Sequence, residues 1–185
     1  MEIVHQRAHN VDVDSKAWKI SNEERRGLYK TVAHALDKID DTPGAFKILS
    51  CLMKEMESAT EADIAAAQSE AHRCVILAIK SKNAINFEEL LALKAIKQLA
   101  TKDKETHEFF TLFTRSNATD FKGQVAKFAD IMKKENISMD EVITKKSYLL
   151  ICSLSTKTSN FTYAELSKLL NIAEDAIEEW AIEAI

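Results

Sequence analysis

Apolar residues recur along the chain at helical spacing. Leu28, Val32, Ala35, Leu36 and Ile39 stand at i, i+4, i+7, i+8 and i+11. Ala45, Leu49, Leu52, Met53 and Met56 repeat that pattern, as do Phe121, Val125, Phe128, Ala129 and Met132. Each set lines one face of a helix. Start signals agree. Ser21 with Glu24, Ser138 with Glu141, and Thr162 with Glu165 fit the capping box, in which hydroxyl and acid each accept from a backbone N–H that the first turn leaves unpaired. Thr42 before Pro43 predicts an N-cap with proline at the first helical position, where no N–H is needed. These signals predict helices over 22–39, 43–57, 61–81, 87–100, 104–115, 118–135, 138–155, 163–170 and 173–185.

The connections are short, so neighbouring helices are expected to pair as antiparallel hairpins and the hairpins to stack, each burying its stripe on the next. Ala65, Ala66, Ala67 and Ala71 predict close helix approach. Segment 1–20 is weakly patterned, and Val11, Val13, Trp18 and Ile20 are expected to staple it to the first hairpin. Stacked hairpins then occupy 21–156. The remainder, 157–185, reads as an aromatic entry, a helix, a turn and a second helix, which is an incomplete winged helix. No β-hairpin wing follows, so Phe161, Ile177 and Trp180 are expected to lose cover.

Composition supports the helical reading. The chain of 185 residues has 3 Gly and 1 Pro, too few turn residues for an all-β or mixed fold, and the fold class is all-α. With 46% hydrophobic and 29% charged residues it can bury a core. Cys51, Cys74 and Cys152 lie within apolar helical patterns and read as reduced core residues of an intracellular protein. No apolar run approaches the ~20 residues that span a bilayer, and the N-terminus lacks a signal-peptide core, so the expected compartment is the cytoplasm.

Candidate chemistry is sparse. His5 and His9 are spaced as in a zinc-binding helix, but Gln6 stands where the general base belongs and no third ligand is near. His72, Arg73 and Cys74 are adjacent on one helix and point about 100° apart, so they do not converge. His107 beside Phe109, Phe110 and Phe113 reads as packed or exposed. No phosphate loop, nucleophile elbow or metal-spaced Cys/His set occurs, so no cofactor, metal or small-molecule substrate is expected, and no enzyme. Lys133–Lys134 and Lys145–Lys146 read as solvated pairs, with Lys145 and Lys146 as candidate contacts to RNA or an acidic partner. A DNA-reading winged helix surrounds its second helix with Lys and Arg. Residues 163–185 instead carry Lys168 against Glu165, Glu174, Asp175, Glu178, Glu179 and Glu183, a net charge of −5. That charge argues against direct nucleic-acid binding. Phe161, Tyr163 and Trp180 are the candidate protein-interface residues.

Helical hairpins leading into a non-basic winged helix resemble the PCI domain. Within that family the chain is similar to the subunit M branch of eukaryotic translation initiation factor 3. The likeness is carried by AAAQSEAHRCVILAIKSKNAINFEELLALKAIKQL (Ala65 to Leu99), HEFFTLFTRSNATDFKGQV (His107 to Val125) and SKLLNIAEDAIEEWAIEAI (Ser167 to Ile185), and Trp18 to Ile39 also fits. The family's N-terminal helical half, its wing and its last helix have no counterpart here. The resemblance implies a non-catalytic scaffold that supports mRNA recruitment and initiation-complex assembly. Its implied partners are other PCI and MPN subunits of the factor and, indirectly, the small ribosomal subunit. The alternatives are a PCI subunit of the COP9 signalosome or a winged-helix nucleic-acid-binding module.

Overall fold

The computed structural model describes residues 11–81, 84, 87–155, 162–170, 173–174 and 177–178, and among them every regular element is helical and no strand occurs. Residues 11–17 are helical. Then follow α1 (Asn22–Asp37), α2 (Thr42–Glu55), α3 (Glu61–Ala66), α4 (Gln68–Lys80), α5 (Phe87–Ala92), α6 (Lys94–Lys102), α7 (Lys104–Arg115), α8 (Ala118–Gln124), α9 (Ala129–Lys134), α10 (Met139–Ser155) and α11 (Tyr163–Leu170). Short 3₁₀ turns cover Met56–Ser58 and Val125–Phe128. The chain divides into two compact units, Met1–Phe110 and Thr111–Ile185.

In the first unit α1 packs on α2, α2 on α4, and α4 on α6. Helix α1 begins at its predicted capping box, with Ser21 N donating to Glu24 Oε2 at 2.8 Å and Glu24 N donating to Ser21 Oγ at 3.2 Å. Its buried face is Tyr29, Ala33 and Leu36, whereas Ala35 is exposed and Ile39 is 49% exposed. The predicted stripe is therefore rotated. Ile39 falls in the turn beyond the helix, where Asp40 at φ 56° reverses the chain. The second stripe is buried as predicted, from Ala45 to Met56, with Ile48 added.

The cap of α2 is Asp41 rather than Thr42. Its Oδ1 accepts from Gly44 N at 3.0 Å. A carboxylate at that position also meets the positive end of the helix dipole. Asp41→Ala is expected to destabilise the unit by about 0.5–2 kcal/mol, and Thr42→Ala by less than ~0.5 kcal/mol. Urea midpoints check this, and a larger loss for Thr42→Ala overturns the assignment. Gly44→Ala is expected to destabilise as well, because its Cβ would collide with the Asp41 carboxylate.

Three predicted helices are interrupted. The stretch 61–81 bends at Ala67 (φ −101°, ψ 17°). The bend turns the chain into α4, where Cys74 through Ile79 are all buried; a helix apolar on every side must be covered on every side. Ala67 and Ala71 are the buried small residues, while Ala65 and Ala66 are exposed. The stretch 87–100 breaks at extended Leu93 (φ −68°, ψ 142°). There Lys94 N donates to Glu57 Oε1 at 2.6 Å, so a carboxylate from the distant 3₁₀ turn caps α6. The stretch 118–135 breaks at Val125–Phe128, and so Ile131 is buried beside Met132 while Ala129 is exposed.

Segment 11–20 also departs from expectation. Val13 and Trp18 are 69% and 50% exposed, so neither is a staple. The inward face is polar. Tyr29 Oη donates to Asp12 Oδ1 at 2.9 Å and shares a hydrogen bond with buried Ser15 at 3.1 Å. A buried phenol needs such a partner, and the segment turns to supply it.

In the second unit α8 packs against α10 and α11. Phe113, Phe121, Val125, Ile131, Met132, Ile137, Val142, Leu170 and Ile177 form its core, with Phe113 and Phe121 edge-to-face at 5.7 Å. Helix α9 ends at Asn136 (φ 51°), where the next N–H, of Ile137, donates to Met132 O at 2.8 Å. Asparagine tolerates that left-handed position.

Candidate interaction surface

Helix α11 begins at a complete capping box. Thr162 N donates to Glu165 Oε2 at 2.9 Å, and Glu165 N donates to Thr162 Oγ1 at 3.3 Å. Its last carbonyl, Leu170 O, accepts from Lys122 Nζ of α8 at 3.3 Å, a cation at the negative end of the helix. Between the ends runs one stripe of graded burial. Tyr163 is 55% exposed, Leu166 half-buried and Leu170 fully buried. Tyr163 therefore stands at the rim of the packed unit with its ring in solvent. Phe161 and Trp180, the other candidate interface residues, lie outside the described residues, as does most of the helix expected over 173–185. Ile177 keeps its cover, at 1% exposed.

Lys145 and Lys146 sit differently from a solvated pair. Lys146 is 3% exposed, and its Nζ donates to Phe113 O at 2.6 Å and Thr114 O at 3.3 Å. These are carbonyls of the last turn of α7, the end at which a helix presents acceptors. The ammonium thus serves as a C-terminal cap inside the protein, where a polyanion does not reach it. Lys145 is half-buried, with its Nζ 6.0 Å from the Phe113 ring centroid; that of Lys146 is at 5.9 Å. Burial pulls Lys145 down to about 7 and Lys146 to about 8 from the usual lysine value of 10.5. Both groups hold their protons less tightly in the fold than in the unfolded chain. Between those values and 10.5 the unfolded chain binds more protons, so the second unit is expected to gain stability as pH rises from 7 to 9. The gain is at most about 1.4 kcal/mol per pH unit for each group. Urea midpoints of residues 111–155 followed by NMR check the sign, and a midpoint that falls over this range contradicts it.

The remaining candidates are structural. His5 and His9 lie outside the described residues. His72 Nδ1 lies 2.6 Å from Asp103 Oδ2 and 3.0 Å from Thr106 Oγ1. Both partners meet the same ring nitrogen, so the three do not form a nucleophile–base–acid relay. They tie α4 to the start of α7. Arg73 pairs with Asp37. His107 is half-buried. Cys74 is fully buried, and burial pushes the thiols of Cys51 and Cys74 up to about 11 and about 12, away from the reactive thiolate. Among the described residues no group of three or more His, Cys, Asp or Glu gathers to hold a metal ion. No described helix is long and apolar enough to cross a membrane. The polar docking of Asp12 and Ser15 on Tyr29 escaped the sequence reading. Its signal is the i, i+3 spacing of Asp12 and Ser15, which puts both on one face of the helical segment 11–17.

No protein-family model matches the chain. Individual proteins do. Eukaryotic translation initiation factor 3 subunit M of Mus musculus is 23% identical over 168 residues, covering 91% of this chain and 44% of that protein. The Pyricularia oryzae subunit M is 24% identical over 176 residues, covering 92% and 40%. The Dictyostelium discoideum subunit M is 25% identical over 191 residues, covering 100% and 46%. The chain spans less than half the length of these curated relatives. Over more than 90% of its own length, the chain is a distant homologue of eukaryotic translation initiation factor 3 subunit M.

Proposed function

We propose that the chain is a non-catalytic helical scaffold that works by protein–protein contact in an assembly of the translation initiation factor 3 type. The observation that carries this reading is its similarity, across nearly its whole length, to subunit M from an animal, a fungus and an amoeba. The proposal extends to a PCI-type organisation in the cytoplasm, with stacked hairpins followed by the opening helices of a winged helix. It also extends to partners: other PCI and MPN subunits, and through them the small ribosomal subunit, in support of mRNA recruitment. Tyr163, with Phe161 and Trp180, is proposed to dock such a partner, a large amphipathic ring being suited to an interface. The acidic character of 163–185 supports a protein partner over a duplex.

Affinity purification of the tagged full chain from its own cells tests this. Recovery of other initiation factor 3 subunits is the expected result, with Tyr163→Arg reducing it while the helical content stays unchanged. Recovery of COP9 signalosome subunits instead would move the chain to that assembly, and recovery of neither set overturns the proposal.

A further inference from the structure

The helical segment 11–17 docks on the first hairpin with its polarity reversed. Val13 and the following Trp18 are 69% and 50% exposed, Val11 and Ile20 are half-buried, and the fully buried residue is Ser15. Helices usually dock by removing apolar area from water. This segment removes little and is held by hydrogen bonds instead. Tyr29 Oη of α1 donates to Asp12 Oδ1 at 2.9 Å, and Lys16 Nζ donates to Asp12 Oδ2 at 3.0 Å. Ser15 Oγ lies 3.1 Å from Tyr29 Oη and 3.2 Å from Asp12 O. One carboxylate and two buried hydroxyls thus form a single network between the segment and α1. An element with few buried apolar contacts opens at a lower free energy than the core beneath it.

We propose that segment 11–17 is a releasable strap, closed on the first hairpin by the Asp12–Ser15–Tyr29 network and held open by negative charge at Ser15. It opens as a unit while α1 and α2 stay folded. The network is all-or-none in character, because the Asp12 carboxylate and the Ser15 hydroxyl meet at one phenol and leave it together. Ser15 is the point at which added charge acts. Its side chain has no exposure to solvent and shares a helical turn with the Asp12 carboxylate. An anionic group there, such as a phosphoryl group, has no room in the closed state and is repelled by Asp12. Opening bares the Tyr29 hydroxyl of α1 and also reaches α2. Burial and the Asp12 charge push the Cys51 thiol up to about 11, so withdrawing Asp12 leaves that thiol more reactive. The strap therefore links the state of Ser15 to the exposure of two helices.

The test uses the full chain and reads hydrogen exchange of the amides of 15–18 against those of α1 and α2. In the parent, 15–18 are expected to exchange ahead of α1. Tyr29→Phe keeps the buried ring and removes one hydrogen bond to a charged group. It is expected to speed exchange of 15–18 about 10- to 100-fold and that of α1 and α2 by much less. Ser15→Glu is expected to bring 15–18 to the rate of an unstructured chain. In both variants iodoacetamide should label Cys51 several-fold faster, with fully buried Cys74 of α4 unchanged as the internal control. Exchange of 15–18 in step with α1 in the parent overturns the proposal, as does unchanged protection of 15–18 in either variant. An equal rise across α1 in Tyr29→Phe also overturns it, because the hydroxyl would then hold the hairpin itself. Cys51 labelling that stays at the parent rate in Ser15→Glu overturns the link to α2.

Discussion

Lys146→Glu is expected to unfold the second unit, with a loss of about 3–5 kcal/mol. Lys146 Nζ satisfies two carbonyls in the last turn of α7, at 2.6 and 3.3 Å, from a position 3% exposed to solvent. A carboxylate there would face carbonyl oxygens at the negative end of a helix, buried and unpaired. Lys146→Met separates the charge from the packing. It keeps a long apolar stem and removes the buried ion together with its two hydrogen bonds, so a milder loss of roughly 1–3 kcal/mol is expected. Urea unfolding of residues 111–155, followed by NMR, ranks the two. A Lys146→Glu protein within about 1 kcal/mol of the parent would sink the assignment of Lys146 as an interior cap. The same geometry rules out one obvious experiment. Charge reversal at Lys146 does not report on a surface contact with RNA, because it breaks the fold first.

The second large effect is expected from Phe110→Ala in the first unit. Phe110 is fully buried and meets Phe87 edge-to-face, centroids 5.9 Å apart. Removing a fully buried phenyl ring leaves a cavity and is expected to destabilise by about 3–5 kcal/mol. The loss has a local signature too. Helix α5 is six residues long, too short to hold itself, and Phe87 is its first residue. Hydrogen exchange of Phe87–Ala92 should therefore rise more than that of α4. Equal rises in both helices would show that the ring does not anchor α5.

Local signals in both units are legible in the chain. The Ser21–Glu24 and Thr162–Glu165 capping boxes form where the residues predict, because both partners lie within one turn of each other. The Ala45 to Met56 stripe is buried as predicted, since its helix packs against both α1 and α4. The α1 stripe is less legible. Tyr29 is absent from the predicted stripe, yet it is fully buried, with Asp12 and Ser15 meeting its hydroxyl from 17 and 14 positions away. The candidate surface divides in the same way. Tyr163 is exposed at the start of its helix. Lys145 and Lys146 looked like a solvated pair because nothing adjacent in sequence announces the carbonyls of Phe113 and Thr114, more than 30 positions upstream.

Taken by itself, the sequence determined the all-helical class, the approximate order of helices and two of their starts. These depend on apolar periodicity and on contacts within a single turn, which local residues specify. Only the tertiary structure decided where predicted helices break, which face of α1 turns inward, and that a lysine belongs to the interior. Leu93 leaves the helix because Glu57, far back in the chain, is in place to cap Lys94. Lys146 is buried because the last turn of α7 presents carbonyls that its ammonium meets. In each case the deciding group is a backbone donor or acceptor that must be paired, and its partner is fixed by packing rather than by proximity along the chain.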